Sequence, residues 1–256
     1  MKLSWTCVGC ASGMPQPQLA NSSYLLTHGK QLLLFDAGEG LSSALRRLKI
    51  NATQIGTIFI SHMHSDHWIG LPLFLQMSYL LKRKERLDIF LPAEAVSVVR
   101  RLLNAAYLPP AKLPFELELH RITRSLIVEM KDLTIKPYPN QHLEPQRKIV
   151  EQLQLPNKLE CYSFVIESGD RKIVYSADIR GLEDIEPILA DTSLLVLDGM
   201  HVDISALPKL ASVKQIKRVL LTHLAEDFDF RKSKAQFAGE GLSAVQQAKE
   251  GLTISV

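Results

Sequence analysis

The sequence predicts an α/β protein of two sheet layers with helices outside them, and three observations carry that expectation. Strand-like apolar runs alternate with helix-like stretches in the first third of the chain and again in the last third. The run Thr57 to Ile60 is apolar throughout, as strands covered on both faces are. The chain has 256 residues, 46% of them hydrophobic, enough to build a core without disulfide or metal staples. Residues 1–256 therefore read as a single domain.

Element by element, Lys2 to Val8 is a short apolar strand that Gly9 and Gly13 close in a turn. Ser23 to Leu26 and Gln31 to Phe35 flank His28-Gly29-Lys30, a hairpin signal. Leu41 to Ile50 sets Leu41, Leu45 and Leu48 on one helical face, and a second helix is expected from Pro72 to Glu85. Ala93 to Ala106 reads as a helix stopped by Pro109-Pro110. Phe115 to His120, Leu126 to Met130 and Leu133 to Tyr138 read as strands. Pro139 to Asn157 is polar, with a helical stretch at Arg147 to Leu153. The last third adds strands at Tyr162 to Glu167, Lys172 to Tyr175, Leu194 to Leu197, Arg218 to Leu221 and Leu252 to Val256. Helices are expected there at Leu182 to Leu189 and Leu242 to Lys249.

Composition narrows the function. Lys plus Arg number 30 against 27 Asp plus Glu, a net charge of +3 that permits an anionic ligand without pointing to nucleic acid. The basic clusters Arg46-Arg47, Lys82-Arg83-Lys84, Arg100-Arg101 and Arg231-Lys232 read as solvated helix faces or last turns. Cys7, Cys10 and Cys161 are an odd number, so no complete disulfide framework exists. The opening residues lack a signal-peptide core, and Trp68 to Leu81 is too interrupted to span a bilayer. A soluble, cytoplasmic protein is the expectation.

The chemistry concentrates in Ser61-His62-Met63-His64-Ser65-Asp66-His67. Eight histidines occur in the chain, and at that frequency a motif this dense arises by chance roughly once in three thousand sequences. It follows a buried strand, where sites of α/β folds cluster. In an extended stretch His62 and His64 project to one side and can share a cation, while Asp66 and His67 turn away toward a second. Divalent metals such as zinc favour imidazole with carboxylate. One loop cannot complete two coordination shells, and His142, Asp178 and His223 each stand just after an expected strand.

These residues resemble the metallo-β-lactamase superfamily of hydrolases. The likeness runs through Gly9-Cys-Ala-Ser-Gly13, Phe35-Asp36-Ala-Gly38, His62 to His67, His142, Tyr175-Ser-Ala-Asp178 and Thr222-His223. It implies a four-layer αββα sandwich with a metal site at one edge. Within the superfamily, His64-Ser-Asp-His67-Trp-Ile-Gly-Leu-Pro72 is similar to the ribonuclease Z branch. The resemblance implies two divalent ions, zinc or else manganese. One would be held by His62, His64 and His142, the other by Asp66, His67 and His223, with Asp178 bridging them. Asp36 would support the metal loop.

Two departures shape the expected substrate. His142 and Asp178 are 36 residues apart, with one Gly and two Pro between them, so the long arm that grips tRNA in that branch has no place. Leu195-Val-Leu-Asp198-Gly-Met-His201 stands where the branch carries His-Glu-Ala-Thr. Its Asp198-x-x-His201 form resembles smaller cyclic-phosphate phosphodiesterases of the superfamily. The implied activity is attack by a metal-bridging hydroxide on a small cyclic or nucleotide-like phosphodiester, or on an RNA end, with tRNA not expected. Asp66 would aim the hydroxide and His201 would protonate the leaving group. The same site suits a carboxylic ester, lactone or thioester, and a catalytically silent metal-binding member is the alternative outside enzymology. The likeness also allows a homodimer. His28 and His120 read as structural, and Cys7 and Cys10 as core and turn residues.

Overall fold

Two seven-stranded sheets carry the chain in the computed structural model, which describes residues 2–256. In chain order the elements begin with β1 (Leu3–Gly9), β2 (Ser23–His28), β3 (Gln31–Phe35), α1 (Leu41–Arg47), β4 (Ile55–Phe59), α2 (Ser65–Trp68) and α3 (Leu71–Leu80). Then follow β5 (Leu87–Pro92), α4 (Ala95–Ala105), β6 (Leu117–Ile122), β7 (Val128–Met130), β8 (Leu133–Pro139) and α5 (Arg147–Gln152). The last third holds β9 (Tyr162–Ser168), β10 (Arg171–Tyr175), β11 (Leu194–Asp198), α6 (Leu207–Val213), β12 (Val219–Thr222), α7 (Phe230–Gly239), β13 (Val245–Gln247) and β14 (Thr253–Ser255). They form two compact units. The first comprises 2–123, Leu155–Glu160 and Lys249–Ser255, and the second Arg124–Gln154, Cys161–Ala248 and Val256.

In the first unit the strand order is β14-β1-β2-β3-β4-β5-β6. The β1–β14, β1–β2 and β2–β3 pairs are antiparallel, and the β3–β4, β4–β5 and β5–β6 pairs are parallel. Parallel neighbours require crossovers, which α1, α3 and α4 supply. Their apolar faces bury Leu41, Leu45, Phe74, Leu75, Val99 and Leu103 against Leu25, Leu34, Ile58 and Ile89 of the sheet. The second unit orders its strands β13-β12-β11-β10-β9-β8-β7, with β10 to β13 parallel. Val174, Leu195, Leu197, Val219 and Leu221 pack there with Leu207, Ala211 and Phe237. Parallel strands end in the loops that hold most of the histidines and aspartates of interest, while His142 follows the antiparallel β8.

The α/β expectation holds, and three expected elements differ from it for physical reasons. The second helix stops at Leu80 rather than Glu85. Lys82 turns left-handed (φ 55°), and the buried Arg83 guanidinium donates to the carbonyls of Glu85, Ala52 and Arg86. Leu182 to Leu189 forms two 3-10 turns, Leu182–Asp184 and Glu186–Ile188, because Pro187 lacks the amide a continuous helix would need. Within Leu242 to Lys249 the chain is strand β13, since Val245 pairs with Val219 and is buried, a tertiary gain that overrides helix propensity. The strand β5 and the helices α6 and α7 have no counterpart in the expected elements. Among the described residues no helix is long and apolar enough to cross a membrane.

Candidate metal centre

The donors of the first unit follow β4 directly. Phe59 ends the strand, Ser61 and His62 follow it outside any regular element, and His64 (φ −65°, ψ 139°) precedes the single turn of α2 that carries Asp66 and His67. The ring centroids of His62 and His64 lie 4.8 Å apart, and those of His62 and His67 lie 4.2 Å apart. Asp36 organises this group from behind. Its Oδ1 accepts the Ser61 backbone N–H (2.7 Å), and its Oδ2 accepts the Ser61 hydroxyl (2.9 Å) and lies 2.8 Å from His67 Nδ1. Ser61 Oγ is also 3.0 Å from His62 Nδ1. With each Nδ1 engaged behind, both rings are oriented to present Nε2 forward, the usual arrangement of metal-ligating histidines.

Backbone packing fixes the same loop. Ala37 N–H donates to His67 O (2.7 Å), Gly70 N–H to Ala37 O (2.9 Å), and Trp68 Nε1 to Met63 O (3.1 Å). A Cβ at Gly38 would meet the Asp66 carbonyl, and one at Gly70 would meet the Gly38 carbonyl. The close approach of these two loops therefore requires glycine at both positions. Trp68 packs partly buried against the core below this loop.

In the second unit the donors gather around Asp178, which follows β10. Its Oδ2 lies 3.6 Å from His142 Nε2, 3.4 Å from His223 Nε2 and 3.8 Å from His201 Nδ1. Three side chains outside the sequence-based set hold this cluster in place. Asn140 Nδ2 donates to the Asp178 carbonyl (3.0 Å), and its Oδ1 accepts the His142 backbone N–H (3.1 Å). Asp184 Oδ2 accepts the backbone N–H groups of Gln141 (3.1 Å) and Arg180 (2.8 Å). The Ser176 hydroxyl accepts the Asp198 backbone N–H (2.9 Å). Asn140 was detectable in sequence as an Asx residue two positions before a histidine, and Asp184 carried no such signal. His201 belongs to a dyad, its Nδ1 2.9 Å from Asp198 Oδ2, while its side chain stays 34% exposed.

Backbone strain accompanies these positions. Asp36 (φ 60°), Ala177 (φ 50°) and His223 (φ 54°) all adopt the left-handed region that non-glycine residues avoid. Each lies at or beside a donor, where a strand ends and the chain reverses to aim a side chain.

Whether such donors fit a cation can be tested on distances within each unit. Two ligand atoms about 2.0–2.1 Å from a tetrahedral zinc ion stand about 3.3 Å apart. His67 Nε2 and Asp66 Oδ2 are 3.4 Å apart, and His223 Nε2 and Asp178 Oδ2 also 3.4 Å. These separations exceed a good hydrogen bond and match neighbours in a coordination shell. The chemistry, imidazole with carboxylate, is that of zinc and manganese sites. Asp198 differs, because its carboxylate already accepts the amides of Met200 and Ile179 and holds His201.

The remaining residues singled out in sequence are structural. His28 Nδ1 lies 3.4 Å from Gln31 Oε1 across the hairpin, and His120 Nε2 is 2.6 Å from Asp88 Oδ1. Cys7, Cys10 and Cys161 are buried, and Cys161 Sγ lies 3.6 Å from the Asp178 carbonyl oxygen. Burial raises the pKa of Cys7 and takes that of Cys10 up to about 11, so neither offers a thiolate at neutral pH. Tyr175 is buried beside Phe164.

This architecture and these donors define a metal-dependent hydrolase of metallo-β-lactamase fold, ribonuclease Z-like in kind. The family model of anti-Pycsar protein Apyc1 matches residues 1–240, and the chain belongs to that family. It is 24% identical over 268 residues to ribonuclease Z of Methanosarcina mazei, covering 86% of this chain and 87% of that protein. It is 32% identical over 189 residues to ribonuclease Z of Treponema pallidum, covering 72% of this chain and about half (54%) of that protein. Among solved structures it is similar to YhfI of Bacillus subtilis, a metallo-β-lactamase fold protein (TM-score 0.76, 21% identity, 100% of both chains). It is also similar to a diphosphatase of the PhnP family (TM-score 0.72, 17% identity, 100% of this chain and 98% of that one). A third similar structure is zinc-bound PqqB of Methylobacterium extorquens (TM-score 0.71, 14% identity, 99% and 100%).

Proposed function

We propose that this chain works as one catalytic domain, a cytoplasmic phosphodiesterase that hydrolyses a small cyclic or nucleotide-like phosphodiester, with an RNA end as the larger substrate of the same class. His62, His64 and His142 would hold one divalent cation, and Asp66, His67 and His223 a second. Asp178 would be shared between them, and the ions would be zinc or else manganese. Such a pair supplies Lewis acidity toward phosphorus and acidifies water near neutral pH. Asp66 accepts a hydrogen bond from the attacking water and aims it. His201 Nε2 donates a proton to the departing alkoxide, and Asp198, bonded at Nδ1, fixes the ring and stabilises its charged form.

The observation that carries the reading is the Asp178 cluster, where two imidazoles stand at ligand spacing and a third, tied to its own carboxylate, stands beside them accessible to solvent. Charge at its rim favours a phosphodiester over a lactone or thioester. Glu144, two residues after His142, is held below the ordinary carboxylate range first by its hydrogen bond with Arg147, and Arg180 adds to this. Arg147 is spent on that ion pair, and Arg180, two residues after Asp178, is the cation that would suit an anionic phosphodiester better than an apolar acyl group. The short interval from His142 to Asp178 supports a small substrate rather than tRNA.

The test is incubation of the zinc- or manganese-loaded chain with 2′,3′-cyclic nucleotides, bis-p-nitrophenyl phosphate and a lactone. Phosphodiester turnover is expected. His201→Ala should lower kcat on the cyclic nucleotides by about 10²–10⁴-fold and leave bound metal unchanged. It should cost much less on bis-p-nitrophenyl phosphate, whose leaving group needs no proton. A chain that holds two metal equivalents and turns over no phosphodiester would overturn the proposal.

A further inference from the structure

After Gln154 the chain leaves the second unit, spends Leu155–Glu160 in the first and returns to the second at Cys161. A reciprocal clasp holds this short excursion. Glu94, at the start of α4, makes no cap within its own helix. Its Oε2 instead accepts the Lys158 backbone N–H (2.5 Å) and its Oε1 that of Glu160 (3.1 Å). Glu160 Oε2 accepts the Glu94 N–H in return (2.9 Å). Leu159, between the two donating amides, adopts φ 58°, which costs a residue with a β-carbon free energy. Amides beside a left-handed residue form a concave nest for an anion, and the Glu94 carboxylate is that anion here. Such a turn persists only where its surroundings over-determine it, and the two bonds to Glu94 do so.

What the clasp holds is the residue that follows it. Cys161 is buried, and its carbonyl accepts the Asn140 N–H (3.0 Å) one step past Pro139 and Tyr162, a facing pair of β8 and β9. Its thiol donates toward the Asp178 carbonyl (3.6 Å). The Asn140 side chain then bonds the same Asp178 carbonyl and the His142 amide. Both donor positions therefore depend on where Glu160 hands the chain to Cys161. We infer that Glu94 is a positioning residue for His142 and Asp178, although it belongs to neither the donor set nor their unit. Every hydrogen bond in this line lies within one unit, and the link between them is the Glu160–Cys161 peptide bond. The consequence for a cation rests on the proposed donor set, whereas the line of bonds does not.

Backbone hydrogen exchange of the metal-free full chain, with zinc affinity measured by calorimetry, tests the inference. Glu94→Gln keeps the shape but offers oxygen to only one of the two amides. Exchange at 158–161 and at 140–142 should quicken about tenfold or more, while 61–67 keeps the parent's rate. Zinc should bind about tenfold more weakly. Glu160→Gln retains an oxygen for the Glu94 amide and should behave as the parent does. Ala95→Gly loosens the same turn of α4 without touching the carboxylate, and should leave zinc binding unaltered. Quickening in Glu94→Gln that stops at 158–160 would overturn the inference. So would a zinc affinity that holds at the parent's value, or one that falls equally in Ala95→Gly. A parent chain that bound no zinc would sink the proposed donor set instead, and exchange at 140–142 would still decide whether Glu94 holds that loop.

Discussion

Asp36 organises more of the first unit's donor loop than any donor does. One fully buried carboxylate accepts the Ser61 amide and hydroxyl and holds His67 Nδ1, while its own backbone adopts φ 60°. Asparagine at this position has nearly the same shape but presents an NH₂ group to at least one of these donors. Where that group meets His67, the ring must shift its proton to Nε2, the atom proposed to bind metal. Asp36→Asn should therefore fold yet bind zinc about 10–100-fold more weakly, as read by competition with a chromophoric chelator. Asp36→Ala should in addition lose about 1–3 kcal/mol of stability from the buried groups it strands. Unchanged zinc affinity in Asp36→Asn would remove the orienting role. Much of this was legible in sequence, since Asp-Ala-Gly after an apolar strand marks a tight turn. That Ser61 joins Asp36 to both His62 and His67 was not, because nothing local to a serine reports contact with a residue 25 positions away.

At the scale of elements, legibility follows burial. Strands β4, β11 and β12 are almost wholly buried and read as largely apolar runs. Helix α7 buries only Phe237, so no apolar stripe announces it. Strand β5 has Leu87, Ile89 and Leu91 in the core and an acidic Asp88 between them, a pattern masked by the charged run before it. That aspartate has its own consequence. Partial burial raises its carboxyl pKa, but hydrogen bonds from Arg86 (2.8 Å) and His120 (2.6 Å) outweigh this and hold it below its ordinary 3.8. A carboxylate with a depressed folded-state pKa stabilises the fold above its unfolded value, and the contribution disappears as pH falls through the folded value. Asp88→Asn should thus be less stable than the parent chain in urea at neutral pH, with the gap closing as pH falls below the ordinary carboxyl value of 3.8 and through the lower folded-state value. A gap that persists into acid would mean that shape, not charge, is what Asp88 contributes.

At the scale of the whole molecule, each unit holds part of the proposed donor set. Four side chains of the first stand in one loop after β4, while His142, Asp178, His201 and His223 of the second follow β8, β10, β11 and β12. If both sets serve the same two cations, as proposed, metal must link the stability of the units. A ligand that binds only the folded form stabilises it by RT ln(1 + [L]/Kd), about 2.7 kcal/mol at a hundredfold excess over Kd. Zinc should therefore slow backbone hydrogen exchange not only at 139–142, 176–178 and 221–223 but also at 61–67. The decisive variant is His142→Ala, which alters one unit alone. With a shared pair of ions, it should reduce zinc-dependent protection of residues 61–67 in the other unit. If that loop keeps its full protection while 139–142 loses it, the two units bind metal separately and the shared-ion mechanism fails, whatever the substrate assays report.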